Sequence, residues 1–358
     1  MDKQNIFCSS KFHMDADDVL HILIKDLVGV LPDIELYDKD GNVEDATPIT
    51  PVALPATDIL ITSFSANWES ITGVDGYYLD VSTNIGFTSF LPGYTNLDVG
   101  NVLTYSISGL TSNTAYYYRI STYKGLIIST ESNVITTTTL TGYGLLYNRY
   151  AVTDVRNIAN VGWHVPTDTE WKTLEIYIGM LPATADLTNP RGAPEGGELK
   201  ETGLIYWNTP NTGATNIWGF NVRGGGRRDL TGFTSLKMTG LVWSSSNCAP
   251  FFPTYGWIRE FNYGYSAINR NYGAPNYGGS VRLVNDIAGV HGTVGTYTGN
   301  DGKVYRTICI GTQIWTVDNL EETLYRDLTP IPEVTDGATW LGLITGALCA
   351  YNNDWNNV

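Results

Sequence analysis

The stretch that decides the fold of the C-terminal half is GWHVPTDTEW, residues 162–171. Thr167 is followed three residues later by Glu170, which is the spacing of a capping box, and we predict that a helix begins at Asp168. The apolar residues that continue at helical spacing are Trp171, Leu174 and Ile178. Asp168 and Glu170 could also form an acid–base pair or bind calcium. The cap accounts for both residue types, so we assign Thr167 and Glu170 structural roles.

Further motifs occur in two blocks around this helix. The first block contains GYGLLYNRYAV at 142–152 and SVRLVND at 280–286. The second contains GNDGKVYRTICIGTQIWTVDNL at 299–320 and YNND at 351–354. The two blocks resemble the two halves of the Fibrobacter succinogenes major paralogous domain. In that family the DGKVY-type half comes first and the YNND-type end runs into the LYNRYAV-type start, whereas here the order is reversed.

The reversed order has two explanations, and the sequence is compatible with both. A circular permutation would place Tyr351–Val358 beside Gly142–Tyr147 in space, since permutation is tolerated where old termini lie close together. A swap would instead let the C-terminal half complete a neighbouring chain, which would make the protein an obligate oligomer. Residues 286–298, rich in glycine and small side chains, have the composition of a join between permuted halves.

GWHVPTDTEW is also similar to the R-L-P-T-E-A-E-W motif of C-type-lectin-like folds, a group that includes the formylglycine-generating enzymes. The resemblance implies that residues 141–358 form a mixed α+β domain with few regular elements and long loops rich in tryptophan and asparagine.

Residues 57–140 contain short alternating strands separated by turn signals, a pattern typical of a β-sandwich. LTSNTAYYYRI at 110–120 resembles the signature of fibronectin type III domains. By the same resemblance Trp68 is the core tryptophan and Tyr116 the tyrosine-corner residue, whose hydroxyl bonds upstream backbone. The expected fold class is therefore mainly β with α+β, in which the sandwich acts as a spacer before the C-type-lectin-like domain.

The first 56 residues divide into two parts. Residues 1–46 show an amphipathic helical pattern at 15–29 and a turn at DKDGN, but they are too few to bury a large core. We expect them to be an anchor that docks on another protein. Residues 47–56, TPITPVALPA, have the composition of a stiff linker.

Composition excludes several functions. The formal net charge is −15, and nucleic-acid binding would normally require a basic face. No apolar run reaches the ~20 residues of a membrane span, and the N-terminal residues lack the apolar core of a secretory signal. The four cysteines, whose spacing fits neither a disulfide framework nor a zinc site, are Cys8, Cys248, Cys309 and Cys349. We expect buried free thiols, no metal and no cofactor.

Three other motifs have structural explanations. His164 has no partner at ligand spacing, so a packed or hydrogen-bonded imidazole is favoured over a catalytic base. Ser244–Ser246 lacks a nucleophile elbow. The glycines of Arg223–Arg228 lack the GK[ST] ending of a phosphate loop, so a turn with carboxylate-paired arginines is favoured. We therefore expect the protein not to be an enzyme.

Two loops are candidates for recognition: 207–216 (WNTPNTGATN) and 262–277 (NYGYSAINRNYGAPNY). Rings rimmed by amides can hold sugars by stacking and hydrogen bonding, and they also suit protein contacts. Equally, asparagine and glycine can shape turns while the rings fill a core. The candidate ligand-binding residues are Trp207, Asn208, Asn211, Asn216, Tyr263, Tyr265, Asn271 and Tyr272.

An anchor, a stalk and a lectin-like tip favour a virion structural protein of a phage that infects gut Bacteroidota: a head fibre, capsid decoration or tail appendage. Residues 1–46 would bind a capsid or tail protein, and the C-terminal domain would bind a host-surface glycan or protein. We expect a homo-oligomer, with a trimer favoured. The alternatives are a secreted bacterial surface adhesin or polysaccharide-binding protein and, third, a formylglycine-generating-type enzyme.

Overall fold

The computed structural model of the chain describes residues 48–248 and 252–358. The predicted anchor at 1–46 and Cys8 lie outside the described residues. Within the part that is described, no helix has the length and hydrophobicity needed to cross a bilayer.

Eight antiparallel strands form a β-sandwich at the start of the described chain. They are β1 (Ala53–Thr57), β2 (Ser63–Trp68), β3 (Gly76–Ser82), β4 (Leu97–Gly100), β5 (Thr104–Ser108), β6 (Ala115–Lys124), β7 (Ile127–Ile128) and β8 (Ile135–Thr138). One sheet has the order β1-β2-β5, and the other has the order β4-β3-β6-β7, with β8 also pairing with β6. Alternate residues of β2, β3 and β6 face the shared core, which is the pattern read from the sequence.

The sandwich confirms the two residues that the fibronectin resemblance singled out. Trp68 is buried in the core, and its indole N–H donates to the carbonyl of Val102 at 2.8 Å. The Tyr116 hydroxyl accepts a hydrogen bond from the backbone N–H of Thr111 at 2.9 Å. This contact, five residues upstream, is the tyrosine corner.

The first strand corrects the predicted linker at 47–56. Residues 53–57 form β1 and pair with β2, so the sandwich begins inside the proline-rich stretch. Pro55 is accommodated because β1 is an edge strand and its register is interrupted by an irregularity between Leu54 and Thr57.

The C-terminal domain is a mixed α+β structure. Its strands are β9 (Leu146–Tyr147), β10 (Trp163–His164), β11 (Asn189–Arg191), β12 (Gly225–Asp229), β13 (Gly232–Leu236), β14 (Thr239–Cys248), β15 (Phe252–Asn262), β16 (Ile268–Gly273), β17 (Val284–Asn285), β18 (Val294–Thr298), β19 (Val304–Ile310), β20 (Gln313–Thr316) and β21 (Leu348–Cys349). Its helices are α1 (Arg149–Val152), α2 (Asp168–Tyr177), α3 (Pro182–Ala185), α4 (Glu195–Leu199) and α5 (Gly337–Leu341). The sheet orders are β11-β16-β15-β14-β12-β13, β10-β17-β20-β19-β18 and β21-β9.

The two sequence blocks close into this domain within one chain. Strand β21 of the second block pairs with β9 of the first, and β20 pairs with β17. The backbone N–H of Tyr143 donates to the carbonyl of Asn357 at 2.7 Å. Residues 351–358 thus lie beside 142–147, as a circular permutation requires.

The connection between the sandwich and the permuted domain is held on both sides. The N–H of Leu140 donates to the carbonyl of Leu60 in the sandwich at 2.9 Å. On the other side, the guanidinium of Arg223 donates to the Thr141 hydroxyl at 2.7 Å and to the Gly142 carbonyl at 2.9 Å. The junction therefore has the contacts of a fixed connection and not of a free linker.

Candidate functional site

The loop at 207–216 is mostly structural, which corrects its predicted role in recognition. Trp207 is fully buried, and its indole N–H donates to the Val222 carbonyl at 3.0 Å. Asn211 is also buried and donates to two backbone carbonyls. Asn216 accepts from the backbone N–H of Asn221 at 2.9 Å. Asn211 and Asn216 both have positive φ, so they shape turns. Of the four candidate residues in this loop, only Asn208 is exposed.

The second loop divides its candidates between the core and the surface. Tyr263 is partly buried against the core cluster that contains Trp207. Tyr265 is also partly buried, and this burial raises the pKa of its hydroxyl. Asn271 accepts the backbone N–H of Tyr272 at 2.9 Å, and strand alternation turns it to the other face of the sheet. Tyr272 is 42% exposed, and of these candidates it alone joins an exposed aromatic cluster.

That cluster is the aromatic platform, formed by Phe252, Tyr255, Trp257 and Tyr272. Phe252 stacks close to both tyrosines, with ring centroids 5.1 Å from Tyr255 and 4.8 Å from Tyr272. Trp257 lies opposite Tyr272 in the β15–β16 register, at 6.5 Å between centroids. Phe252 is 39% exposed, and Tyr255 and Trp257 are half-buried. The platform is therefore a continuous ring surface open to solvent.

A buried ion pair between Arg270 and Asp168 contacts one ring of the platform, that of Trp257. The guanidinium carbon of Arg270 lies 3.6 Å from the Trp257 ring centroid, a cation–π contact. Asp168 fixes that guanidinium through bonds of 2.7 and 2.9 Å. Burial alone would raise the pKa of Asp168, but Arg270 and Arg259 outweigh it and the pKa is lowered. Asp168 is thus a structural anion, and the ring of Trp257 is held in place.

The sequence contained a signal for the platform that loop composition did not reveal. Tyr255 and Trp257 alternate along one strand, and Tyr272 follows in the next strand of an antiparallel hairpin. Period-two aromatics on paired strands share a face. The hairpin register needed to bring Tyr272 opposite Trp257 is a tertiary feature.

The capping box at Thr167 and Glu170 is confirmed, and it includes His164. Glu170 accepts the N–H of Thr167 at 2.7 Å, while the Thr167 hydroxyl accepts the N–H of Glu170 at 3.2 Å. His164 bridges two carboxylates, with Nε2 2.8 Å from Glu170 and Nδ1 2.6 Å from Asp286. The imidazole is therefore hydrogen-bonded, as the sequence suggested. Its bond to Glu170 raises the pKa of His164 against the opposing effect of burial.

This bridge predicts a pH-dependent contribution to stability. The folded pKa of His164 lies above its ordinary 6.5, so the contribution is complete below about pH 6.5 and is lost as pH rises through the folded pKa. Because the imidazole is about one-third exposed, we expect less than ~1 kcal/mol. Urea unfolding of wild type and His164→Gln between pH 5.5 and 8.5 measures this. The two curves should converge at high pH, and a constant separation would contradict the assignment.

The remaining chemical candidates are also structural. The Ser244 hydroxyl accepts the N–H of Ser246 at 3.1 Å. Arg223 pairs with Glu201 at 2.6 Å, Arg227 pairs with Asp229 and Glu260, and Arg228 donates to the backbone of Val334 and Thr335. The cysteines within the described residues are buried and free: Cys248, Cys309 and Cys349. No group of three or more His, Cys, Asp or Glu side chains in residues 48–248 and 252–358 could hold a metal ion.

These features define a modular, β-rich protein in which a sandwich precedes a permuted α+β domain. The family model of the Fibrobacter succinogenes major domain matches residues 111–285, so this part of the chain is similar to that family. The match spans just under half of the chain and ends before the second block at 299–358.

Other similarities cover smaller parts of the chain. The Kelch domain-containing protein SSO1033 of Saccharolobus solfataricus is 33% identical over 85 residues, which span 22% of this chain and 11% of that protein. The fibronectin type III domain of human fibronectin type III domain containing protein 3 is 26% identical, with a TM-score of 0.24, covering 29% of this chain and 96% of that domain. The FN5 domain of Drosophila Lar is 22% identical, with a TM-score of 0.23, and the match covers 27% of this chain and 100% of that domain.

Proposed function

We propose that this chain is a non-enzymatic adhesion protein whose permuted domain binds a surface glycan through the aromatic platform. The observation that carries the proposal is a cluster of four adjoining rings, two exposed and two half-buried, in a domain that buries most of its other large aromatics. The C–H faces of sugar rings are apolar and flat, so they stack well on such rings. Because Arg270 and Asp168 hold Trp257 in place, little side-chain entropy is lost on binding.

We further propose that the sandwich is the spacer of a phage virion appendage, such as a head fibre, capsid decoration or tail appendage. The fixed junction at Leu140–Gly142 supports a spacer that holds the platform in one orientation. Residues 1–46 would attach to a capsid or tail protein, and the host would be a gut Bacteroidota bacterium. A secreted bacterial surface adhesin is the second candidate, and the platform would serve it equally.

The platform is tested by binding measurements on point variants. Affinity electrophoresis of the full chain in gels containing soluble β-glucan, xylan or Bacteroidota capsular polysaccharide should show retardation by at least one polymer. Trp257→Ala and Tyr272→Ala should each weaken that binding about tenfold, since truncating a central ring costs more than ~1 kcal/mol. Trp355→Ala is the matched control, because Trp355 is 44% exposed but lies outside the platform.

Unchanged retardation of the Trp257 and Tyr272 variants would overturn the glycan site. Binding to intact host cells without binding to any polymer would point to a protein receptor. Immunogold labelling with an antibody against the sandwich then separates the two locations. Label on purified virions supports the appendage, and label on the bacterial envelope of uninfected cells supports the adhesin.

A further inference from the structure

Residues 286–298, which the sequence predicted to be a join between the two blocks, contain an edge strand. Strand β18 (Val294–Thr298) lies at the end of the five-stranded sheet, where β19 is its only strand partner within the described residues. All of its residues except Tyr297 are exposed. The second side of β18 therefore pairs with no strand in the part of the chain that the structure describes.

The backbone direction along β18 identifies which groups face outward. Cys309 donates its N–H to the Thr293 carbonyl at 2.8 Å, and Gly299 donates to the Lys303 carbonyl at 2.8 Å. Odd-numbered residues therefore bond to β19, and the N–H and C=O groups of Val294 and Thr296 point away from it. Neither residue makes a backbone hydrogen bond on that side within the described residues. The Thr298 carbonyl accepts from the Asn160 amide at 3.3 Å.

The side chains at this edge do not protect it from pairing. Natural edge strands usually carry lysine, proline or a bulge, but residues 287–298 contain no Lys, Arg, Asp, Glu or Pro. Val294 is 74% exposed, and Val304, which lies opposite Thr298 on β19, is 58% exposed. In a chain of net charge −15, an uncharged edge is where two copies meet with least repulsion.

We propose that β18 pairs antiparallel with β18 of a second copy of this chain. A two-fold axis at Thr296 would let each Thr296 exchange N–H···O bonds with Thr296 of the other copy, with Val294 opposite Thr298. Such an interface is isologous, because the same strand serves both partners. The two five-stranded sheets become one continuous sheet. The sequence favoured a trimer, whereas this pairing gives a dimer or an assembly of dimers.

Sedimentation velocity of the full chain over a concentration series tests the pairing. Wild type should shift from monomer to dimer. Thr296→Lys places two like charges on the axis, and Thr296→Pro removes the outward N–H at a position where an edge strand tolerates proline. Each should raise the dimer Kd about tenfold or more. Thr296→Val is the matched control, because it keeps the backbone and the strand preference and should still dimerise.

Hydrogen exchange supplies a second readout that separates this interface from one made elsewhere. The amides of Val294 and Thr296 should gain protection as wild-type concentration rises, and in Thr296→Lys the amide of Val294 should not. A monomeric wild type, or an oligomer whose mass and exchange pattern are unaffected by Thr296→Lys and Thr296→Pro, would overturn the proposal. Circular dichroism of each variant shows that the fold is intact.

Discussion

Glu175→Gln is expected to lower the free energy of unfolding of the permuted domain by about 3–5 kcal/mol. Glu175 is fully buried on helix α2 and accepts hydrogen bonds from Arg259 and, at 2.7 Å, from Arg191. A glutamine would keep one oxygen but turn an N–H₂ group toward one of the guanidinium groups. The buried guanidinium groups of Arg191 and Arg259 would then lose the negative charge that Glu175 supplies.

The neighbouring charges cannot compensate for that loss. Asp168 already binds Arg259 at 2.9 Å and Arg270 at 2.7 Å. The buried network thus holds three arginines against two carboxylates before any substitution. Burial lowers the pKa of Arg191 to about 10, a sign that its charge depends on Glu175 for stabilisation.

Urea unfolding followed by tryptophan fluorescence measures the effect. Glu333→Gln is the matched control, since Glu333 is exposed and would keep an acceptor oxygen as glutamine. Among the described residues, its side chain accepts only the Trp355 indole N–H. We expect less than ~0.5 kcal/mol for that control. A loss below ~1 kcal/mol for Glu175→Gln would show that water reaches the network and screens it.

Features carried by local spacing could be predicted from the sequence. The capping box needs only Thr167 and Glu170 three residues apart, and the tyrosine corner needs Tyr116 near the start of a strand. The reversed order of the two blocks could be recognised because each block keeps its internal order. The structure added that the two blocks close within one chain, through the β9–β21 and β17–β20 pairs.

Features that depend on which side of an element faces the core could not be read in this way. Trp207 and Tyr272 lie in equally polar, asparagine-rich stretches, yet the first is fully buried and the second is 42% exposed. The difference is set by tertiary partners: Trp207 finds the Val222 carbonyl, while Tyr272 is placed by its register with Trp257. Composition also hid β18, because glycine and threonine suit a loop and an edge strand alike.

Arg282→Met is expected to cost about 3–5 kcal/mol, because it leaves several buried carbonyls without donors. Arg282 is fully buried in the first block. It donates to the Thr316 carbonyl at 2.9 Å, to the Val317 carbonyl and to Asn319 Oδ1 at 2.6 Å, all in the second block. Its other bonds go to the carbonyls of Phe220 and Asn221, at 3.0 and 2.8 Å.

One side chain thus links the two permuted blocks, and its removal tests whether they form one cooperative unit. Arg306→Met is the matched control: its guanidinium pairs with Asp318, but its side chain is 56% exposed, so we expect less than ~1 kcal/mol. Unfolding of Arg282→Met, followed by fluorescence and by proteolysis of residues 299–358, should show both blocks unfolding together at lower urea. If Arg282→Met costs no more than Arg306→Met, the blocks are joined elsewhere. If instead residues 299–358 come free while the first block stays folded, the two halves are separable, and exchange between chains becomes the better account of the reversed order.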